Sequence, residues 1–376
     1  MIVFFIFTLL FFQASVIAQP CTMYMVSTLS SHPLSTLPLT ESSAAIPALI
    51  STKSQAKITI EYNDINEALL NSTSGEVICF KTGIYPAIKI ENIQGGINNI
   101  TLKAETDADV QIIQNSYSGT GIAIKNSKNI IISEFTLSGG MYGIYAQGSS
   151  DLTLVNNTIY NVGQEGIIVK SGIAKQSLEN FVIADNIISG TGKRLAQYGE
   201  GIYIGDGNDN YNQVINNVRI EGNSISNTMN EAIDIKINTK NVNIHSNNII
   251  NTNLKFNGAI TVATANRYGP DSQITISHNN IIGVTNRSGY RPIGIAVGQG
   301  NALITGNLIS ATSTRFVGVC LFSTFVNVNA NTVTLGQNYV LTNGTPFLAN
   351  CGDGGTSAHS LANVIKMNVE VLERKR

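Results

Sequence analysis

Residues 244–249 read Ile244-His245-Ser246-Asn247-Asn248-Ile249, with one asparagine held between two apolar positions. The same pattern recurs at Leu154–Asn157–Ile159, Ile183–Asn186–Ile188, Ile220–Asn223–Ile225, Ile276–Asn279–Ile281, Ile304–Asn307–Ile309 and Val328–Asn331–Val333. From Asn223 to Asn247 is 24 residues, and from Asn186 to Asn223 is 37. A period of that size describes stacked units rather than a globule folded about one centre. The asparagine suits a sharp corner, because Asn tolerates the left-handed region and bonds its own backbone. One asparagine per unit at one corner predicts a ladder of amides.

A second strand belongs to each unit. It reads Gly121-Ile-Ala-Ile, Gly166-Ile-Ile-Val, Gly201-Ile-Tyr-Ile, Ala232-Ile-Asp-Ile, Ala259-Ile-Thr-Val, Gly294-Ile-Ala-Val and Gly318-Val-Cys-Leu, with Gly143-Ile-Tyr-Ala as a weaker copy. Alternation with period two marks strands. The reading is all-β: a single-stranded right-handed parallel β-helix, a solenoid of nine or ten turns, with a short N-terminal capping helix. An antiparallel sandwich of short strands would instead show Asn-Gly hairpin turns and no fixed ladder position.

Composition narrows the function. The chain has 376 residues, a net charge of −1, 12% charged residues and no Trp. No basic excess points to nucleic acid. Residues 1–18 are apolar and end in Val16 and Ala18, small residues at a cleavable spacing, so they read as a signal peptide. Residues 19–56 read as a Ser/Thr/Pro-rich linker, 57–350 as the solenoid and 351–376 as a C-terminal cap with a basic tail. Sequons at Asn71, Asn99, Asn156, Asn286 and Asn343 fit a secreted, extracellular glycoprotein. No membrane association is expected after cleavage, and a monomer is expected. Of the four cysteines, Cys79 reads as a buried thiol, and Cys320 with Cys351 as a bridge across the last turn.

The helical pattern 63–71, then Gly75-Glu-Val-Ile-Cys-Phe-Lys-Thr-Gly-Ile-Tyr85, then Asn99-Ile-Thr-Leu-Lys-Ala104 resembles the entry to the pectate-lyase-like right-handed parallel β-helix superfamily. The resemblance runs from about Ile58 to Leu335 and speaks to fold more than to chemistry.

Stacking the strands puts Tyr142, Glu165, Glu200, Glu231, Gly258 and Ile293 in one column. Like charges one strand spacing apart call for a cation, a raised pKa or divergent orientations. The outward columns read Tyr145, Ile168, Tyr203, Asp234, Thr261 and, beside them, Gln147, Lys170, Gly205, Lys236, with an open floor expected at Gly205. The flanking loops carry Lys193, Arg194 and Tyr198; Tyr211; Lys255 and Phe256; Arg267 and Tyr268; Arg287, Tyr290 and Arg291; Arg315 and Phe316. Aromatic faces suit sugars, and Arg suits carboxylates. His245 and His278 sit at the asparagine corner and read as structural.

The segment Asn230-Glu231-Ala-Ile-Asp234-Ile-Lys236 resembles a strand of the chondroitinase-B/alginate-lyase type of β-helix lyases. The resemblance implies Glu231 as a calcium ligand, with Glu200 from the preceding turn, and Lys236 as general base. Met229 stands where that type has a second Glu, and its Arg in the following strand is missing from Ala259–Ala263. The expected site is therefore Lys236, Tyr203 and Arg267 for catalysis. Lys170, Arg194, Tyr198, Asp234, Lys255, Tyr268 and Arg291 would bind substrate, and Glu200, Glu231 and Glu165 would hold Ca2+. The expected partner is an acidic polysaccharide, and the expected reaction is β-elimination or C5-epimerisation of a uronic-acid polymer. The alternative is a non-catalytic glycan-binding or structural β-helix.

Overall fold

A computed structural model of the chain describes residues 19–27, 60–93, 99–172, 177–207, 213–255, 257–262, 273–298, 301–311, 313–321, 333–341, 345–349 and 367–370. The expected signal peptide, Asn331, Cys351, Arg267, Tyr268, Phe256 and Tyr211 lie outside these residues.

One amide ladder organises the fold. Asn157, Asn186, Asn223, Asn247, Asn279 and Asn307 are all buried. Each Nδ2 donates to the Oδ1 of the next asparagine, at 3.1, 3.0, 2.9, 2.9 and 2.9 Å along the row. Each of these Oδ1 atoms also accepts the backbone N–H of the preceding ladder residue, at 3.0 Å. The second amide hydrogen is used too: Asn223 Nδ2 donates to the carbonyl of Ile183, and Asn247 Nδ2 to that of Ile220. A buried amide with every group engaged is stable, whereas one left open costs its desolvation.

The ladder asparagines do not themselves take the left-handed conformation. The residue before each one does: Asn156, Asp185, Gly222, Ser246, His278 and Gly306, with φ between 53° and 68°. Polar side chains or glycine fit there. The ladder residue is asparagine for its amide, and not for its backbone. At the N-terminal end Phe135 takes the ladder position, and its N–H donates to Asn157 Oδ1 at 3.2 Å. Its ring meets Phe80 edge-on at 4.9 Å, so aromatic packing continues the column.

Around this ladder the strands stack in parallel. A ten-stranded sheet comprises Ile88–Glu91, Thr120–Lys125, Tyr142–Gln147, Ile167–Lys170, Ile202–Ile204, Ile233–Ile235, Ile260–Val262, Ile293–Val297, Val317–Leu321 and Thr345–Ala349. A larger sheet holds the strands on either side of the ladder. Inward residues such as Ile144, Ile167, Ile202, Ile233 and Ile260 are fully buried in one continuous core. Each contributes roughly 1.5–3 kcal/mol of burial. Glycine opens several of these strands because the turns approach closely. A Cβ on Gly166 would lie 2.6 Å from Ile188 Cγ2, and one on Gly201 2.6 Å from the Ala232 carbonyl.

Two expectations change, those for Cys79 and for the linker. Cys79 is not a free thiol; it is bonded to Cys21. Cys320 is also disulfide-bonded. Part of the expected linker belongs to the fold, since Met23–Met25 pairs with Ile60–Tyr62 on one side and Val77–Phe80 on the other. The short helix spans Ile65–Leu70, capped by Asp64, whose side chain accepts the N–H of Asn66 at 2.8 Å. It buries Ile65, Ala68 and Leu69. Within the expected tail, Met367–Glu370 pairs with Val333–Leu341. Among the described residues no helix is long and apolar enough to cross a membrane.

Asn223→Ala should remove both amide links at once, leaving the Asn186 N–H and the Ile183 carbonyl without partners. The expected loss is about 3–5 kcal/mol, measured by denaturant unfolding. An exposed asparagine outside the left-handed region, such as Asn243, should tolerate the same change within about 0.5 kcal/mol.

Candidate functional site

The ten-stranded sheet presents its outward side chains in register. Ile144 pairs with Ile167, Ile167 with Ile202, and Ile202 with Ile233. Two residues before these positions lie Tyr142, Glu165, Glu200 and Glu231, as stacking required. Tyr203 is directly opposite Asp234, and Ile168 opposite Tyr203. Fixed backbone pairing therefore forces four carboxylates, from Glu165, Glu200, Glu231 and Asp234, onto three adjacent turns.

All four are buried, at 4%, 3%, 2% and 0% exposure. One carboxylate oxygen on each of Glu200, Glu231 and Asp234 lies within 4.8 Å of the others. Glu165 lies outside that trio. Two of their oxygens are held by side-chain amides. Asn230 Nδ2 donates to Glu200 Oε1 at 3.0 Å, and Asn257 Nδ2 to Glu231 Oε1 at 2.8 Å. Glu165 Oε2, Glu200 Oε2, Glu231 Oε2 and both oxygens of Asp234 are buried without a hydrogen-bond donor, Asp234 Oδ2 being met by the Lys236 ammonium as an ion pair. Such atoms are costly unless a proton or cation meets them.

Burial is the main cause of their altered acidity. It pushes Glu165 up to about 7 and Glu231 up to about 8, with the Asp234 charge adding to the latter. Glu200 is raised well above the carboxylate range by burial and then by Glu231. Asp234 is raised by burial, although the Lys236 charge opposes this.

Two lysines complete the surroundings. Lys236 Nζ lies 2.5 Å from Asp234 Oδ2. Burial disfavours its charge, but the attraction of Asp234, Glu231 and Glu200 wins and raises its pKa. The Tyr203 ring lies between two ammoniums, with Lys170 Nζ 5.3 Å and Lys236 Nζ 5.1 Å from its centroid. Burial and then Asp234 raise the phenol, so Tyr203 keeps its proton.

The loops supply less than expected. Arg194 is exposed, and its Nη1 donates to the Tyr117 carbonyl at 3.2 Å. Tyr198 and Arg291 are exposed. Lys255 reaches the site through its backbone, whose N–H donates to Asn230 Oδ1 at 3.1 Å. Arg287 is the loop cation that feels the cluster. Burial lowers its pKa while Glu231 and Glu200 oppose that, and Nη1 donates to the Met229 carbonyl. Gly205 is no open floor. It turns the chain at φ +98°, and a Cβ there would lie 2.5 Å from Thr239 Oγ1 and 2.7 Å from Asn238 Oδ1. That corner is fastened by Asp206, whose Oδ2 accepts from the Ser171 N–H and from Asn238 Nδ2, each at 3.1 Å. The ends of the strands carrying Lys170 and Lys236 are thereby held.

A parallel solenoid with this sheet order has relatives. The family model for a right-handed β-helix region matches residues 48–218 and, overlapping, 121–309. The chain belongs to the right-handed β-helix family.

Among solved structures, an alginate lyase from Paenibacillus sp. str. FPU-7 is similar at 19% identity and TM-score 0.54, over 76% of this chain and 95% of that one. The catalytic domain of a GH87 α-1,3-glucanase, solved with nigerose, aligns at 13% identity and TM-score 0.35 over 88% and 70% of the two chains. At 19% identity the likeness to the alginate lyase is one of fold. A search of the curated proteins finds no match. In this right-handed β-helix the sequence places Glu165, Glu200, Glu231, Asp234, Tyr203, Lys170 and Lys236 together. Asn230, Asn257 and Arg287 join them through contacts that the strand pattern does not encode.

The buried acids also set a pH dependence. Glu165 binds its proton more tightly folded, at about 7, than unfolded, at 4.5. Between those values the folded state holds more protons, so stability is lost as pH rises. Glu231, at about 8, extends the window upward. With a chelator present, the melting temperature should fall as pH is raised from 5 to 8, and Glu165→Gln should flatten the lower part of that fall.

Proposed function

We propose that this protein is a secreted carbohydrate-active enzyme that acts on a uronic-acid polymer at the Glu200–Glu231–Asp234 cluster, by β-elimination or C5-epimerisation. The observation that carries this reading is the buried trio with unpartnered oxygens, set beside Lys236, Lys170 and Tyr203. Structural carboxylates in a fold short of charge would be exposed or fully paired, whereas these are buried and, among the described residues, only Asp234 has an ion-pair partner. The fold neighbour that is an alginate lyase is consistent with the same substrate class. The Cys21–Cys79 bond fits an oxidising compartment, in keeping with secretion.

The trio offers hard oxygen donors, and a calcium ion takes such ligands at about 2.3–2.6 Å. Glu200, Glu231 and Asp234 would hold it, and when bound it would neutralise the substrate carboxylate and so acidify the adjacent C5 proton. Asn230 and Asn257 fix the rotamers of Glu200 and Glu231 through one oxygen each, leaving the second directed inward. Lys236 is the group placed to take the C5 proton. While Asp234 grips it, Lys236 stays charged, so its base form requires Asp234 to be engaged elsewhere. Tyr203, which keeps its proton, is placed to protonate the leaving oxygen in elimination or the opposite face of the sugar in epimerisation. Lys170, on the other face of the Tyr203 ring, adds positive charge where an oxyanion or carboxylate would form.

The test is incubation with alginate, pectate, chondroitin and dermatan while following absorbance from unsaturated uronides. New reducing ends without that absorbance would mean hydrolysis and overturn the elimination. Binding without any turnover would favour the glycan-binding alternative.

Calorimetry should show calcium binding with proton release, since bound carboxylates give up protons. Glu231→Gln should weaken it at least tenfold. No heat, with no change in melting temperature, would remove the ion from the site. Lys236→Ala should lose on the order of 10²–10⁴-fold in kcat, the usual worth of a positioned proton-transfer group. The loss should come without a comparable loss of folding.

A further inference from the structure

The outward face of the ten-stranded sheet is asymmetric about the carboxylate cluster. Toward the C-terminus the column continues from Asp234 through Thr261, Ala296 and Cys320. These positions are 5%, 0% and 0% exposed, and Ala296 and Cys320 pack with Ile293 and Val317 in a separate buried cluster. None of these column positions offers a sugar a charged or aromatic side chain. Toward the N-terminus the column passes Ile168, itself buried, and then Tyr145, where the face carries a groove of about 490 Å³ lined by Lys89, Glu91, Lys125, Tyr142, Tyr145 and Gln147 among others. Its floor is made of small residues, Ala87, Gly119 and Ala123.

The lysines on this face follow the turns. Lys125 pairs with Gln147, and Gln147 with Lys170. On the next turn Gly205 N–H donates to the Val169 carbonyl, and on the one after Lys236 N–H donates to that of Ile204. The column is thus Lys125, Gln147, Lys170, Gly205, Lys236, with an ammonium on every second turn. At about 4.8 Å per turn, consecutive lysines stand roughly 9.6 Å apart along the axis. A sugar in an extended β-linked polymer is about as long as one turn is thick, so two turns match a disaccharide.

We infer that this lysine ladder reads a polyuronate whose carboxylates present on one face at every second sugar, with the chain running from the carboxylate cluster toward the N-terminal turns. This deepens the proposed function and rests on its placement of the reacting sugar at that cluster. Lys236 and Lys170 meet the reacting region, and Lys125 meets a carboxylate four turns away. Lys125 now faces Glu91 at 3.7 Å, in an ion pair nearly half exposed on both sides. Such a pair holds little in water, so a substrate carboxylate can take its place. Lys170 makes no ion pair among the described residues and lies on the Tyr203 ring. Between the lysines, Tyr142 and Tyr145, with ring centroids 5.4 Å apart and planes at 35°, offer aromatic surface to the sugar rings.

The experiment measures binding of saturated alginate-type oligouronates by calorimetry, using the full chain carrying Lys236→Ala so that nothing is cleaved. Disaccharide, hexasaccharide and a carboxyl-reduced hexasaccharide are compared. The hexasaccharide should bind at least tenfold more tightly than the disaccharide, and carboxyl reduction should abolish that gain. Lys125→Gln and, separately, Tyr145→Ala should each lose most of the gain, with melting temperatures near that of the parent. A hexasaccharide no tighter than a disaccharide, or variants that keep the gain, would overturn the ladder. Turnover of uronate polymers by the unsubstituted protein in that case would leave the proposed reaction standing. Ladder-dependent binding with no turnover would sink the reaction and support the ladder.

Discussion

The asparagine Oδ1 at each corner accepts two hydrogen bonds from the neighbouring turn, and this one constraint sets what the rest of the chain can vary. Asn186 must meet Asn223 whether the intervening chain is long or short, because a buried amide that misses its partner is costly. The 37 residues between those two and the 24 between Asn223 and Asn247 are accommodated in the loops on either side of the ten-stranded sheet. Length variation is thus excluded from the ladder corner and concentrated at the borders of the strands that carry Glu165, Glu200, Glu231 and Asp234. The rigid corner and the variable rim lie on different sides of the same turn, an arrangement that positions chemistry without loosening the core.

Registered stacking has an electrostatic consequence. Parallel pairing puts equivalent positions of successive turns at one strand spacing, so a Glu repeated at the same place in three turns meets its own kind. No rotamer choice carries it far away, because Asn230 and Asn257 hold Glu200 and Glu231 in place. The cluster is therefore destabilising by itself, and the extended core of isoleucines and the amide ladder must offset it. Strain of this kind persists where surrounding structure over-determines it, and it is a reason to look for function there.

Much of this was readable in the repeats. Period-two alternation placed Ile233 and Ile235 inside and Asp234 and Lys236 outside, and it aligned the three glutamates, because strand geometry leaves no other choice. What it could not give are contacts made across loops. Asn257 reaches Glu231 from a neighbouring loop, and Arg287 rather than Arg291 feels the carboxylates, by loop paths that no period encodes. The left-handed residue was misassigned by one position, since both asparagine and its predecessor are plausible there by side-chain type and only the ladder separates them. Cys21 was hidden because the strand that follows it, Met23–Met25, is three residues long, too short for alternation to register.

The charges of the site do not balance. Four carboxylates, Glu165, Glu200, Glu231 and Asp234, face the ammoniums of Lys170 and Lys236, with the Arg287 guanidinium beyond them, so the fully ionised cluster keeps an excess of negative charge. A buried site does not sustain that charge. In the protein alone the imbalance is met by protons, and the raised pKa values of the acids are the sign of it. One divalent cation compensates the same charge as two such protons, and the trio of inward oxygens is where it would make contact. On the proposed reading the exchange would also relieve Lys236, because an Asp234 engaged by a cation would no longer hold the lysine in its charged form. The same carboxylates that make Lys236 a poor base in isolation are those whose neutralisation would make it a good one. Cation binding and base strength are on this account one linked equilibrium, set by the registry of three consecutive turns.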